Sequence, residues 1–359
     1  MKGLDSKKMI MRFDRSGIAG ILDSFPGQIE DACRIGLNFR IPDSYAARCG
    51  NIVFTGLGGS AIGADLIRSY LAGRVKLPIF VNRNYTLPGF VSSRTLVIVS
   101  SYSGNTEETL SAYREARRKK ARMIVITSGG KIERLARRDK VPSIIIPGSL
   151  PPRCALGYSF FPVLILFWRL RFITDPRKAI RETVKILRGL RDKKTAIKVR
   201  RGKNIAKILA LTLRGKFPVI YGGQDHTDAV ATRWRGQLSE NSKALSSSHV
   251  FPEMNHNEIV GWENPKRMLK DFVAVILRDK DDHPAIKRRM DITKRIIERS
   301  GTKIVELYSV GGCLLSRMFS LVYIGDYVSY YLAILYGRDP AAIERIDYLK
   351  RELAKGRSS

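Results

Sequence analysis

The chain has 359 residues, of which 44% are hydrophobic and 27% are charged. This composition is typical of a globular protein and not of a disordered one, and the length suits about two domains. The 64 Lys and Arg against 33 Asp and Glu give a net charge of +31, which raises binding to nucleic acid or another anionic surface as a hypothesis.

The sequence also disfavours a membrane protein, a secreted protein and a metal-binding protein. No stretch reaches the roughly 18 uninterrupted apolar residues that cross a bilayer, and the first residues lack the apolar core of a signal peptide. The four cysteines are scattered without a paired spacing or a neighbouring histidine, which is typical of reduced thiols. We therefore expect a cytoplasmic enzyme with no metal site and no redox cofactor.

Short β-branched runs alternate with longer helical patterns along the first half of the chain. This alternation predicts an α/β fold with parallel sheets covered by helices. The predicted strands are 52–54, 78–81, 96–99, 123–126 and 143–146, and the predicted helices are 61–72, 105–119 and 131–138.

A strongly basic segment near residues 177–200 follows. Ile180, Val184, Leu187 and Leu190 recur in it at helical spacing, so we expect its charges to form the solvated face of an amphipathic helix. Any binding of nucleic acid by this surface is expected to be non-specific and sensitive to salt.

The second half repeats the same theme. The predicted strands are 219–221, 244–246, 273–277 and 304–307, and the predicted helices are 228–241 and 284–299. The apolar segment 317–336 is expected to be a helix buried on one side, and the last residues, from Asp339 onward, a short helical tail.

Two segments that follow predicted strands have the residue types of a phosphate site. The first is the glycine-rich run Gly56–Gly63, where Gly58, Gly59 and Ser60 open a helix whose N-terminal amides can bind an anion. The same run resembles a dinucleotide fingerprint, but that interpretation requires an acidic residue near position 82. Asn82 and Arg83 stand there, which disfavours hydride transfer.

The second segment, residues 100–108, carries three hydroxyls at a strand-to-helix junction: Ser101, Ser103 and Thr106. Helix capping alone accounts for one such hydroxyl, because serine or threonine followed by glutamate opens helices routinely. Three hydroxyls together favour the binding of phosphate oxygens.

These segments and four later ones carry a family resemblance. With GLGGSAIG, SYSGNTEET, PPRCALGY, SENSK, PEMNHNE and a C-terminal lysine, the chain resembles the archaeal bifunctional phosphoglucose/phosphomannose isomerase family of sugar isomerase (SIS) domain proteins. The resemblance extends from about residue 45 to Arg351 and implies two SIS-type three-layer αβα subdomains with parallel sheets. The implied division is an N-terminal helical extension (1–44), a first subdomain with the phosphate cradle (45–170), a basic linker helix (171–203), a second subdomain (204–338) and a C-terminal helical tail (339–359).

The resemblance also implies an aldose–ketose isomerase that interconverts glucose 6-phosphate, and by the family pattern mannose 6-phosphate, with fructose 6-phosphate through a cis-enediolate. Such a reaction needs a base beside the carbonyl and a cation for the enediolate oxygen. By resemblance Glu240 is the base and Arg153, after a rigid proline pair, stabilises the enediolate. His256 opens the sugar ring from across a homodimer interface, and Lys350 works beside it.

One departure from the family pattern concerns the choice of sugar. The family commonly has a threonine a few residues before the C-terminal lysine, associated with accepting both epimers, whereas this chain has Ala341, Ala342 and Ile343. Two alternatives stay open: another SIS sugar-phosphate isomerase, and a non-enzymatic sugar-phosphate sensor that binds nucleic acid. The second lacks the room for a DNA-binding module before the first strand.

Overall fold

Two parallel β-sheets form the centre of the computed structural model, which describes residues 3–355. The predicted N-terminal extension and C-terminal tail each include residues, 1–2 and 356–359, that lie outside the described residues. Two helices precede the first sheet, α1 (Lys7–Phe13) and α2 (Ile18–Asn38). The carboxylate of Asp14 accepts hydrogen bonds from the backbone amides of Ile18 and Ala19 at 2.7 and 3.0 Å, so it caps the start of α2.

The first sheet has five strands in the order β2-β1-β3-β4-β5. The strands are β1 (Asn51–Thr55), β2 (Ile79–Asn82), β3 (Thr95–Ser100), β4 (Arg122–Thr127) and β5 (Ser143–Ile145), and the helices between them are α3 (Gly59–Leu71), α4 (Glu107–Arg118) and α5 (Gly130–Arg138). Every predicted strand and helix of this half is confirmed to within two residues at either end. The signal was clear because β1, β3 and β4 are almost wholly buried, and buried parallel strands appear as continuous apolar runs.

Three helices connect the two sheets. They are α6 (Leu156–Arg169), α7 (Arg177–Leu190) and α8 (Ile205–Leu213). The four apolar residues singled out in α7 are buried and Lys178, Arg181, Lys185 and Arg188 are exposed, which confirms that its charges form a solvated face. The helix is shorter than predicted, because it ends at Leu190 and is followed by a single π-helical turn (Arg191–Thr195). Beyond this turn the side chain of Asn204 donates to the carbonyls of Thr195 and Ala196.

The second sheet has four strands in the order β7-β6-β8-β9. They are β6 (Phe217–Gly223), β7 (Ser247–Phe251), β8 (Phe272–Arg278) and β9 (Lys303–Tyr308), with helices α9 (Asp228–Ser242), α10 (Lys266–Leu269) and α11 (Pro284–Arg299). The predicted strand 244–246 is wrong, since β7 begins at Ser247. Lys243 ends α9 in the left-handed conformation (φ 55°) and the Ala244 amide bonds back to Leu238, so the residues after α9 still belong to its terminal turn.

The apolar segment before the tail forms α12 (Leu314–Leu335), and the tail forms α13 (Glu344–Lys355). One-sided burial was wrong for α12, because every residue from Leu315 to Ile334 is buried. By length and composition alone this helix could cross a membrane. Here it packs against α7, α8 and α9 as the core of the protein, and its one acidic residue, Asp326, pairs with the buried Arg233 at 2.7 Å.

Candidate active site

The order of strands in the first sheet reverses between β1 and β3. After β1 the chain continues to β2 on one side of this pair of strands, and after β3 it continues to β4 on the other side. Open parallel sheets bind ligands at such a reversal of strand order. Both predicted phosphate-binding segments lie there, because one joins β1 to α3 and the other joins β3 to α4.

The glycine-rich segment is shaped by close backbone contacts. Gly58 has φ 51° and ψ −125°, a conformation that favours glycine. A Cβ on Gly59 would lie 2.8 Å from the carbonyl carbon and oxygen of Pro152 and 3.0 Å from the amide nitrogen of Arg153. The start of α3 is therefore pressed against the turn that carries Arg153, which places this arginine beside the phosphate-binding segment.

The two segments are linked through the hydroxyl of Ser60. The backbone amide of Tyr102 donates to Ser60 Oγ at 3.1 Å, and that of Asn105 donates to Ser103 Oγ at 3.3 Å. These two bonds use the hydroxyl oxygens as acceptors, so the hydroxyl protons can be donated to a ligand. Ser101 Oγ, in a buried residue, lies 3.3 Å from Thr106 Oγ1.

Capping does not account for Thr106. This residue occupies the position before α4, yet within the described chain its side chain accepts no amide of that helix. The expected capping bond is therefore not the reason for a hydroxyl here, which favours the phosphate-binding interpretation over the capping one.

Arg153 and Glu240 lie together. The guanidinium of Arg153 is 3% exposed, and its Nη1 is 3.5 Å from Oε2 of Glu240, whose side chain is 32% exposed. Arg153 Nε donates to Asn241 Oδ1 and Nη2 to the Pro340 carbonyl, both at 2.6 Å. The arginine is thus fixed on three sides, while the carboxylate of Glu240 stays accessible from the solvent.

A buried polar network behind this pair holds α9 in place. Arg233 donates to the carbonyl of Arg153 at 3.1 Å and to both carboxylate oxygens of Asp326 at 3.0 and 2.7 Å. Gln237 donates to the same carboxylate at 2.8 Å. Because α9 carries Glu240 in its last turn, this network fixes the helix from which the carboxylate extends. Sequence reasoning missed these residues, although the acid inside the apolar run of α12 was a visible signal.

Lys243 is a further residue that sequence reasoning missed, even though it ends the SENSK motif. Its ammonium donates to the carbonyls of Asn241, Asp339 and Pro340 at 3.0, 2.7 and 3.3 Å. Burial first, and then the positive charge of Arg153, lower the pKa of Lys243 to about 8. The Pro340 carbonyl thus accepts from both Arg153 and Lys243, which ties the segment leading to α13 to the site.

His256 and Lys350 do not join this group within one chain. His256 lies exposed in a short 3-10 helix (Glu253–His256) after β7, and Lys350 lies exposed on α13. Among the described residues, neither forms a hydrogen bond or ion pair with Arg153 or Glu240. The described residues also contain no group of three or more His, Cys, Asp or Glu that could hold a metal ion.

Comparison with known proteins covers both halves of the chain. Residues 46–147 match the SIS domain family, and residues 202–353 match the family described as bacterial phospho-glucose isomerase C-terminal SIS domain. The chain is 49% identical over 332 residues to the bifunctional phosphoglucose/phosphomannose isomerase of Caldicellulosiruptor bescii, covering 92% of this chain and 97% of that protein. It is 36% identical to the protein of the same name from Thermoplasma acidophilum, covering 85% and 90%.

The fold also matches solved structures. A glucose-6-phosphate isomerase like protein from Thermus thermophilus aligns with a TM-score of 0.66 at 20% identity, covering 96% of this chain and 99% of that one. At this identity the likeness concerns the fold alone. It confirms the predicted class of two α/β subdomains built on parallel sheets.

Proposed function

Because the chain belongs to the family of bifunctional phosphoglucose/phosphomannose isomerases, we propose that it interconverts glucose 6-phosphate with fructose 6-phosphate through a cis-enediolate. The pairing of buried Arg153 with accessible Glu240, beside the phosphate-binding segments, supports this reaction most directly. We further propose that it acts in the cytoplasm, where phosphorylated hexoses are found.

The phosphate of the substrate binds at the carboxyl ends of β1 and β3 in the first sheet. Amides at the start of α3 and α4 carry partial positive charge, and the protons of Ser60 and Ser103 are directed away from their own bonding amides. Glycine at positions 58 and 59 lets the backbone approach the anion closely. The sugar then extends from the cradle toward the turn of Arg153.

The proton transfer takes place between two adjacent carbons. Glu240 takes the proton from C2 of open-chain glucose 6-phosphate, the electron pair forms the C1–C2 double bond, and the former carbonyl oxygen gains negative charge. Arg153 stabilises this charge, since a guanidinium held rigidly in a low-dielectric site costs no reorganisation. A proton moves from O2 to O1, and Glu240 returns its proton to C1, which gives fructose 6-phosphate.

The choice between epimers is open to a direct measurement. The relatives are named for both activities, but the chain has Ala341, Ala342 and Ile343 before α13. We expect the purified enzyme to convert fructose 6-phosphate to glucose 6-phosphate faster than to mannose 6-phosphate in coupled assays of each product. A rate ratio near one would contradict this expectation, and no conversion to either product would overturn the proposed function.

The exposed positions of His256 and Lys350 support a homodimer in which a second copy completes the site. Ile346, Leu349 and Leu353 lie on one face of α13 and are 39 to 58% exposed, which leaves this amphipathic helix without a covering surface in one protomer. We propose that His256 reaches the partner's site and opens the sugar ring there, and that Lys350 acts beside it.

Mixing two inactive variants tests this arrangement. We expect Glu240→Gln and His256→Asn each to be inactive alone, and a mixture refolded together to recover roughly a quarter of wild-type activity, since half of the dimers are mixed and each mixed dimer has one intact site. Dimerisation is checked by sedimentation. A mixture that stays inactive although mixed dimers form would show that His256 acts within its own chain.

The division into five parts also stays a proposal. The family matches begin at residues 46 and 202, close to the proposed starts of the two subdomains at 45 and 204. Residues 3–38 lie outside both matches, and α2 within them packs against α6 and α7.

A further inference from the structure

A hydrogen-bonded cluster lies directly beside His256 at the carboxyl end of the second sheet. Glu258 follows His256 by two residues, and its carboxylate accepts a hydrogen bond from the hydroxyl of Tyr221 on β6. The other oxygen of the same carboxylate is 2.9 Å from Nδ1 of His249 on β7. Trp262 Nε1 donates to the Tyr221 hydroxyl at 2.9 Å. The carboxylate thus joins the His256 segment to two neighbouring strands.

The two strand residues of this cluster differ in exposure. Tyr221 is fully buried and His249 is 29% exposed, while the Glu258 side chain is 33% exposed. Burial, together with the adjacent carboxylate, raises the pKa of Tyr221 well above its usual range. Tyr221 is therefore protonated at neutral pH, and its hydroxyl donates to Glu258 from the buried end of the cluster.

The opposite side of the His256 segment is held as well. Met254 is fully buried, and the side chain of Asn255 donates to Thr293 Oγ1 on α11 at 2.8 Å. His256 therefore lies exposed between two fixed points, Asn255 before it and Glu258 after it. This is the arrangement expected for a side chain that must be presented outward in one direction.

We propose that Glu258 is a positioning residue for His256, and that Tyr221 and His249 hold Glu258 for this purpose. The inference rests on the proposed function, in which His256 opens the sugar ring. Opening the furanose of fructose 6-phosphate breaks the C2–O5 bond, with O5 gaining a proton and the C2 hydroxyl losing one. The imidazole can give a proton to O5 and take one from the C2 hydroxyl only at hydrogen-bonding distance. A shift of about 1 Å in the backbone of His256 would therefore slow ring opening.

The test compares a substrate that forms a ring with one that cannot. Fructose 6-phosphate closes its furanose ring through O5, whereas 5-deoxyfructose 6-phosphate has no O5 and stays open. A residue that positions only the ring-opening group is needed for the first substrate and not for the second. Proton removal by Glu240 is needed for both.

We expect Tyr221→Phe and Glu258→Ala to lower kcat on fructose 6-phosphate by roughly tenfold or more, consistent with the cost of misplacing a catalytic group. Turnover of 5-deoxyfructose 6-phosphate should be unchanged. Glu258→Gln should retain most of the activity, because its amide oxygen can still accept the Tyr221 hydroxyl. Tyr308→Phe, at an exposed tyrosine of β9, is the matched control and should equal the wild type on both substrates.

Thermal unfolding of each variant establishes that it is folded at the assay temperature; if Tyr221→Phe fails to fold, the two Glu258 variants carry the comparison. Equal slowing of both substrates would assign the cluster a purely structural role and overturn the proposal, as would normal turnover of fructose 6-phosphate by Glu258→Ala. A wild-type enzyme that converts neither substrate would instead refute the proposed function itself.

Discussion

Replacing Glu240 by glutamine is expected to lower the rate of isomerisation by about 10³-fold while leaving substrate affinity nearly unchanged, because a positioned general base typically contributes 10²- to 10⁴-fold. Glutamine has nearly the same shape, and its carbonyl oxygen can still face Arg153 Nη1, 3.5 Å away in the native pair. What it lacks is the ability to take a proton. The loss should therefore fall on kcat, measured by the coupled assay, and not on the dissociation constant of fructose 6-phosphate.

Glu298→Gln provides the control for this variant. Glu298 is an exposed glutamate in the last turn of α11, as Glu240 is in the last turn of α9, and its replacement should leave kcat unchanged. Exchange of the substrate C2 proton with solvent gives an independent measurement, since only the base can catalyse it. If Glu240→Gln retains wild-type exchange, another group is the base.

The sequence predicted the strands of the first sheet better than the contacts of the candidate active site. The strands of that sheet are short apolar runs bounded by turn residues, so periodicity alone locates β1 and β3 and hence the two segments that follow them. The sequence also identified Arg153 and Glu240 as candidate site residues, but only because they lie in motifs of the family. Their contact joins residues far apart in the chain, and no local pattern encodes it.

The buried polar network shows why such contacts were missed. Arg233, Gln237 and Asp326 satisfy one another across α9 and α12, and a buried charge is tolerated only when it is paired in this way. Asp326 is visible in the sequence as an acidic residue within an apolar run, yet its partner could be any basic residue in a chain with 64 of them. The prediction that α12 is buried on one side only was wrong because other helices pack around all of its faces, and such tertiary contacts are also absent from the local pattern.

The roles of His256, Lys350 and the phosphate-binding residues stay predictions. Within one chain the structure brings the phosphate-binding segments close to Arg153 and Arg153 close to Glu240. It leaves His256 and Lys350 exposed and apart from them. We propose that a second copy of the chain completes the site, and neither periodicity nor a single protomer can test that proposal.

Arg153→Lys should lower kcat by about 10²- to 10³-fold, the usual loss when one donor to a developing oxyanion is removed. The charge is retained, so any loss reports on geometry. The native guanidinium reaches Asn241, Pro340 and Glu240 with three separate nitrogens, whereas a lysine ammonium is a single point that cannot span them. At least one buried acceptor then loses its partner, which should also reduce the free energy of unfolding by about 1–3 kcal/mol.

The two effects of Arg153→Lys can be separated, because activity is measured well below the unfolding temperature and stability by denaturant titration. Arg288→Lys, at an exposed arginine of α11, should change neither quantity. Since we propose that the substrate phosphate binds at the amides and hydroxyls around the starts of α3 and α4, the affinity for fructose 6-phosphate should fall far less than kcat. A variant that loses affinity as much as turnover would place Arg153 in substrate binding and leave the enediolate to another cation, for which Lys243, held by the same Pro340 carbonyl, is a candidate.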